Sequence, residues 1–287
     1  MFSTPQRAAI AAFATAFLAI SACWSIPVEA ADLTDDSAAA PEAPAADSSF
    51  DQVRFGGVEK TLSDWHFVVG AGAMYGPTYE GSKEMKVTPV PFISATPLDR
   101  VHVDPSGITL DAFTMNGFTL GLKGGYDLGR KQSDGDRLHG LGDIDAAGVV
   151  GARASYQFGS ARIYADIDRM IGGSDGLQGK IGADLTEQYD KFLFSAGASA
   201  TLADDKYMQS YFGVTEAQSE RSSLAAYDAK GGLKRFDVDT SVTYMATKNW
   251  LIRGQAGVGF LAGDAKDSPI VERYVQPSAM LVVGYKF

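Results

Sequence analysis

Three histidines, His66, His102 and His139, are the only imidazoles in this chain of 287 residues. A nucleophilic hydrolase would need one of them within reach of a serine and an orienting carboxylate. His66 stands between Trp65 and Phe67, which suits an interfacial structural residue, and His139 follows Arg137 in a polar segment where it is simply solvated. His102 shares a face with Asp104 in a short extended stretch, but no serine is placed by the pattern to complete a triad. A second candidate is the acidic run Asp134, Asp136, Asp143 and Asp145, interleaved with Gly135, Gly140 and Gly142. Its spacing does not match the 12-residue calcium loop, so the plain reading is a solvated loop that holds a divalent ion at most occasionally. The third set is Lys123, Arg153, Arg162, Asp166, Asp168, Lys180, Asp184, Asp237, Asp239 and Arg253, all at alternating positions of apolar segments. These side chains either line a water-filled pore or pair and close it, and their mixed signs favour a narrow or occluded lumen. No set converges on a catalytic constellation, so the chain is expected to be neither an enzyme nor a holder of a cofactor or metal.

The elements that carry these residues repeat with period two. Trp65, Phe67, Val69, Ala71, Ala73 and Tyr75 make one row; Phe118, Leu120, Leu122, Gly124, Tyr126 and Leu128 make another. Similar rows recur to the end of the chain, where Leu281, Val283, Tyr285 and Phe287 alternate. A soluble sandwich also alternates, but these rows run to about 10 to 13 residues, the span of a tilted transmembrane strand. Aromatic residues gather at the row ends: Trp65, Phe118, Phe192, Tyr244, Trp250, Tyr285 and Phe287 at one, Tyr75, Tyr126, Phe236 and Phe260 at the other. That is the distribution of two interfacial girdles. The closing row, with Tyr285 and Phe287, has the form of the signal that the barrel-insertion machinery reads.

Composition agrees and excludes alternatives. The chain is 45% hydrophobic and 21% charged, with 32 glycines, one cysteine and a net charge of -10. Its mean hydropathy is -0.06 and its pI about 4.8. The one long uncharged apolar run, Ala8 to Ala22, lies at the N-terminus, which excludes a polytopic helical membrane protein. The acidic balance argues against a nucleic-acid surface. Arg7, that apolar run and Val28-Glu29-Ala30 read as a secretory signal over residues 1–30. The rival is a lipobox at Ile20-Ser21-Ala22-Cys23, with Cys23 acylated. Residues 31–63, rich in Ala, Pro, Asp and Ser at their start, are expected to form a disordered periplasmic arm, and residues 64–287 the barrel.

Loop lengths test the strand count, because bacterial barrels have an even number of strands, short periplasmic turns and longer outer loops. The long gaps at 76–84, 129–145, 203–229 and 262–273 fall on one side only if Asp104-Pro105-Ser106-Gly107 is a turn that splits residues 101–114 into a hairpin. The expectation is therefore an all-β transmembrane antiparallel barrel of about 12 strands, with both termini in the periplasm.

The loops carry recognisable motifs: Tyr79-Glu80-Gly81-Ser82, Leu138 to Ile144 with Gly140-Leu141-Gly142-Asp143, Tyr207-Met208 followed by Tyr211-Phe212-Gly213-Val214, and Gly263-Asp264-Ala265 with Asp267-Ser268-Pro269-Ile270. In this order, and with the terminal Tyr285-Lys286-Phe287, they resemble the MipA/OmpV family of outer-membrane proteins over about residues 60–287. The resemblance implies an outer-membrane location among lipid and lipopolysaccharide. It also implies a scaffold role towards a lytic murein transglycosylase and a penicillin-binding protein, a role known for one member. No catalytic residues come with it. A narrow channel for small polar solutes is the alternative function, and an outer-membrane hydrolase the more distant one.

Overall fold

The computed structural model describes residues 67–98 and 100–287. The expected signal sequence and arm, Cys23, Trp65 and His66 lie outside the described residues. Twelve strands follow in chain order: β1 (Phe67–Pro77), β2 (Met85–Leu98), β3 (Val101–Asp104), β4 (Gly107–Met115), β5 (Phe118–Asp127), β6 (Ala147–Phe158), β7 (Ala161–Ile171), β8 (Leu177–Tyr189), β9 (Phe192–Ala203), β10 (Gly232–Met245), β11 (Trp250–Leu261) and β12 (Val275–Lys286). Each pairs antiparallel with its neighbours in sequence, and β12 returns to β1 to close the barrel. The return register runs from Val68 opposite Lys286 to Tyr75 opposite Ala279. Asp104 ends β3 and its carboxylate accepts the Ser106 backbone N–H at 2.7 Å, so the turn chemistry at 104–107 does divide the stretch into a hairpin.

Alternation sorts the side chains. Along β12, Gln276, Ser278, Met280 and Val282 are buried inside the ring, while Leu281 and Val283 are exposed on its outside. Exposed Ile108, Leu110, Leu122, Val150, Ile163, Ile167 and Ile181 continue the apolar outer band. At the short-turn end the aromatics touch one another: Phe67 with Phe287 at 5.5 Å, Tyr285 with Phe287 at 5.0 Å and with Trp250 at 5.1 Å, and Phe192 with Tyr244 at 4.9 Å. Each pair adds about 0.5–1.5 kcal/mol beyond its buried area and thickens the girdle at that rim.

The four long connections share one end of the barrel, as the loop-length argument requires. They are not featureless. The 203–229 gap, expected only as a loop, folds into α1 (Asp205–Phe212) and α2 (Glu216–Arg221), and the 262–273 gap into α3 (Gly263–Asp267). The start signals are local: the Asp204 carboxylate caps the Tyr207 N–H, and Thr215 and Gln218 form a reciprocal capping box.

Closure of the ring depends on two glycines of β1. A Cβ at Gly70 or Gly72 would collide with the backbone carbonyl of Val283 or Leu281 on β12. Gly72→Val is expected to wedge this seam at a cost of about 1–3 kcal/mol. In an unboiled gel the fast-migrating folded species should fall relative to wild type, and an unchanged folded fraction would remove the glycine from this role.

Candidate functional site

The loop motifs converge on one structure, a cap over the long-loop mouth. On α1, Tyr207, Met208, Tyr211 and Phe212 are all buried, spaced so that one helix face points down into the barrel. They pack with Ala147, Met170, Ala203, Ala229, Leu261 and Ala265. Beside them Tyr79, Leu138, Leu141, Val214, Leu224 and Ile270, drawn from four different loops, form a second apolar cluster. Polar contacts stitch the same loops together. Tyr79 donates from its hydroxyl to the Ile270 carbonyl at 3.1 Å, Arg137 Nε to the Pro269 carbonyl at 2.8 Å, and Gln218 Nε2 to the Leu141 carbonyl at 2.6 Å. The Ser268 hydroxyl donates to the Phe212 carbonyl, and Asp264 accepts the Lys230 N–H at 2.8 Å. Gly213 closes α1 by donating its N–H to the Gln209 carbonyl at 3.0 Å. Gly140 has φ +87° and lies so near the Arg221 carbonyl that a side chain has no room.

A buried charge cluster holds the first loop to the barrel wall. Glu80 accepts from Arg235 at 2.7 Å and from Lys234 at 3.3 Å, and Arg235 also meets Asp237 at 3.0 Å. Adjacent residues of a strand ordinarily point to opposite faces. Here the register slips between Leu233 and Arg235, and this bulge turns both Lys234 and Arg235 inward. Lys234 Nζ also lies 4.7 Å above the Tyr207 ring, which joins the cluster to α1. Burial alone would raise the Glu80 carboxyl, but Lys234 and Arg235 outweigh it and hold it below the usual carboxylate range. Gln276 completes the attachment: it is fully buried, accepts the Gly81 N–H at 3.1 Å and donates to the Ser82 and Arg273 carbonyls. Arg130, in the loop after β5, is buried and donates to the Tyr211 carbonyl at 2.6 Å; burial lowers its pKa.

Below the cap, the lumen has two unlike walls. On β5 to β8 the charges form a cross-strand ladder. Lys123 meets Asp168 at 2.7 Å and Asp166 at 3.5 Å, Arg153 grips Asp166 with two bonds of 2.7 and 3.0 Å, and Arg162 meets Asp184 at 2.9 Å. Lys180 stands in register with Asp166. Gly151 lies between Lys123 and Asp168, where a Cβ would overlap the Asp168 carboxylate, so the missing side chain lets the pair form across it. Arg153 and Arg162 lie 5.3 and 5.7 Å from the Tyr164 ring centroid. On β11, β12, β1 and β2 the lining carries instead an apolar cluster, Val68, Met74, Val90, Phe92, Leu251, Met280 and Val282, beside the buried polar residues Thr88, Gln255, Gln276 and Ser278. Asp239 and Arg253 are carried by β10 and β11, and Arg253 bonds Thr243 and Gln255 at 3.3 Å each.

The ten lumen candidates thus sit in two groups, seven on β5 to β8 and Asp237, Asp239 and Arg253 on β10 and β11. Lys234, Arg235, Gln276 and Arg130 were missed by the pattern. The doubled charge at 234–235 interrupts the alternation of β10 and is the one local sign of the bulge. The histidines do not assemble with serines among the described residues. His102 Nε2 lies 3.2 Å from Asp111 across the β3–β4 hairpin, while the carboxylate of Asp104 serves the turn, and His139 is exposed. In the acidic loop, Asp134 and Asp143 accept the backbone N–H groups of Lys131 and Gln132.

A closed twelve-stranded ring with an apolar outside, an aromatic rim and long loops at one end defines an outer-membrane β-barrel, here with a capped mouth. The chain belongs to the MipA family: the family model of MltA-interacting protein MipA matches residues 69–287. YiaT of Escherichia coli (strain K12), named as an outer membrane protein, is 22% identical over 225 residues, covering 76% of this chain and 90% of YiaT. Among solved structures, the translocator domain of autotransporter NalP from Neisseria meningitidis covers 79% of this chain and 92% of its own at 14% identity, with a TM-score of 0.44. OprD from Pseudomonas aeruginosa aligns over 77% of this chain and 65% of its own at 10% identity, with a TM-score of 0.34.

Replacing Glu80 leaves Lys234 buried without its carboxylate, so Glu80→Ala is expected to cost on the order of 3–5 kcal/mol of cap stability. Amide exchange across residues 78–84 should accelerate, with strand amides of β6 and β7 unchanged. Because the Glu80 pKa is lowered in the folded state, its contribution is complete above the unfolded value of about 4.3 and is lost as pH falls through the lowered one. In the wild type, cap exchange corrected for intrinsic rate should therefore rise only below about pH 4. A cap equally protected in both proteins would show that Glu80 is not its clamp.

Proposed function

We propose that this protein is a non-enzymatic, non-conducting outer-membrane barrel that serves as a scaffold for periplasmic murein-remodelling enzymes. The observation that carries the reading is the cap, in which the loop motifs are spent on packing four loops against one another across the mouth. The ladder beneath supports it, since Lys123, Arg153 and Arg162 are each bonded to an aspartate and do not present free charge along a path. A barrel built in this way has its open surfaces at the other end, which in outer-membrane barrels faces the periplasm. Those surfaces are the short turns after β2, β4, β6, β8 and β10 and the chain that precedes Phe67. The family is named for interaction with MltA; the partner classes of this reading are a lytic murein transglycosylase and, from the resemblance carried by the loop motifs, a penicillin-binding protein. Lipid and lipopolysaccharide contact the outer band, and Tyr285 and Phe287 serve the insertion machinery.

Capture with the mature barrel in a mild detergent extract is expected to retrieve a murein hydrolase or synthase, and to lose it when residues 31–63 are deleted or the 246–249 turn is replaced by Asn-Gly. In planar bilayers the wild type should be silent. Sustained conductance whose ion selectivity reverses with Asp166→Lys would replace the scaffold with a channel.

A further inference from the structure

The charged ladder holds one cation that it does not neutralise. Lys180 points inward from β8, in register with Asp166 of β7 on one side and Thr201 of β9 on the other. Asp166 is already taken, because Arg153 grips it with two bonds and Lys123 stands 3.5 Å away. Asp168 is held by Lys123, Asp184 by Arg162 and Asp237 by Arg235. Asp127, at the top of β5, accepts the Tyr211 hydroxyl and belongs to the cap. Among the described residues no carboxylate lies within ion-pair distance of Lys180. The ladder residues of β5 to β8 therefore carry one cation in excess, on the inside of a ring whose outside is hydrocarbon.

The positions around Lys180 are polar groups in want of a partner. Gln178 lies two residues along the same face of β8, Thr201 lies opposite, and Ser199 lies two residues along β9. All three are more than nine-tenths buried, and Gln178 Nε2, Thr201 Oγ1 and Ser199 Oγ have no hydrogen-bond partner among the described residues. Buried polar groups are paired as a rule, so three orphans in neighbouring register positions call for a common explanation. Water satisfies hydroxyls and amides but brings no charge to the ammonium, whereas an oxyanion accepts from all four groups and supplies the missing charge. There is room beside them. Ser199 faces Gly182, and Asp184 faces Gly197, so the next positions down this wall carry no side chain on one strand of each pair. Lys180 is only half-buried although it points into the lumen, and Lys123 and Arg153 keep 21% and 20% of their side chains accessible on the same wall.

We propose that Lys180, Gln178, Thr201 and Ser199 form a binding site for one small oxyanion, a carboxylate or a phosphate group, inside the barrel below the cap. Lys180 supplies the charge, and the carboxamide and the two hydroxyls supply directed donors. The flanking carboxylates, Asp166 and Asp237, are each bonded to an arginine, so the field at Lys180 stays positive. With the loops packed across the other mouth, the anion arrives along the charged wall from the short-turn end. The site is independent of the scaffold reading: partner capture can fail while the anion binds, and the reverse.

The test is equilibrium dialysis of the full barrel, folded in a zwitterionic detergent, against radiolabelled inorganic phosphate and, separately, radiolabelled acetate, each run until the bound label stops rising. Saturable binding of at least one of them to a single site is expected, and the tighter of the two identifies the guest as tetrahedral or carboxylate. Lys180→Met should weaken that binding by about tenfold or more, and Thr201→Val by about three- to tenfold. Lys230→Met removes a cation that is exposed in an outer loop beside Asp228, and should bind as the wild type does. Saturable binding of neither anion at millimolar concentration overturns the site. So does unchanged binding in Lys180→Met, or an equal loss in Lys230→Met, which would mark a general effect of surface charge. Folding of each variant is checked by its shift on boiling, and Thr201→Val, read against Lys230→Met, decides the matter if Lys180→Met does not fold.

Discussion

Hydrocarbon offers a backbone amide nothing to bond to, and that single demand organises the molecule. Every N–H and C=O of a spanning segment must be met by the chain itself, which leaves a ring of strands as the solution for a sequence without long apolar helices. From the ring the rest follows. Strands closed on themselves have an inside and an outside, so residues must alternate between lipid and lumen, and the charges that a soluble protein would scatter over its surface are forced inward or out into loops. Charges sent inward face one another at close range across adjacent strands, and the ladder of Lys123, Arg153, Asp166 and Asp168 is the outcome. Where the ring is least complete, along the upper edge of β2, prolines stand in place of the donors that lipid would leave unmet.

The cap solves a different problem with the same chemistry. Its loops are joined to one another through two small apolar clusters and a buried carboxylate. Glu80 acts at a distance of over 150 positions in sequence from Lys234 and Arg235. A buried ion cluster of this kind adds little net stability over an apolar replacement but penalises any arrangement that separates its members. It therefore selects one seating of the loop among many. The bulge in β10 is part of that device, because without it only one of the two cations could turn toward the carboxylate.

Much of the frame was legible locally. The alternation from Phe67 onward, the turn at Asp104 to Gly107 and the rule that long loops share a side led to twelve strands, and the boundaries observed differ by a few residues. The helices α1 and α2 were legible too, in the Asp204 cap and the Thr215–Gln218 box, but a reading tuned to period two passes over an eight-residue helix. The motif residues were recognisable as a set, whereas their common destination was not. Nothing in the neighbourhood of Tyr79 indicates Ile270, and nothing near Asp104 and His102 indicates that His102 would choose Asp111 on the next strand.

By itself, then, the sequence determined the class of structure: period-two rows of membrane length, aromatic ends and turn chemistry are local properties, and hydrocarbon allows them one architecture. Only the tertiary structure decided which lumen charges pair, that an apolar cluster on β1, β2, β11 and β12 gathers away from the charged ladder, that four loops meet in a cap, and where the ring is thin. Those outcomes depend on the register of each strand against its neighbour. A shift of one residue reverses every side chain on a strand, and the offsets accumulate around the ring until β12 meets β1.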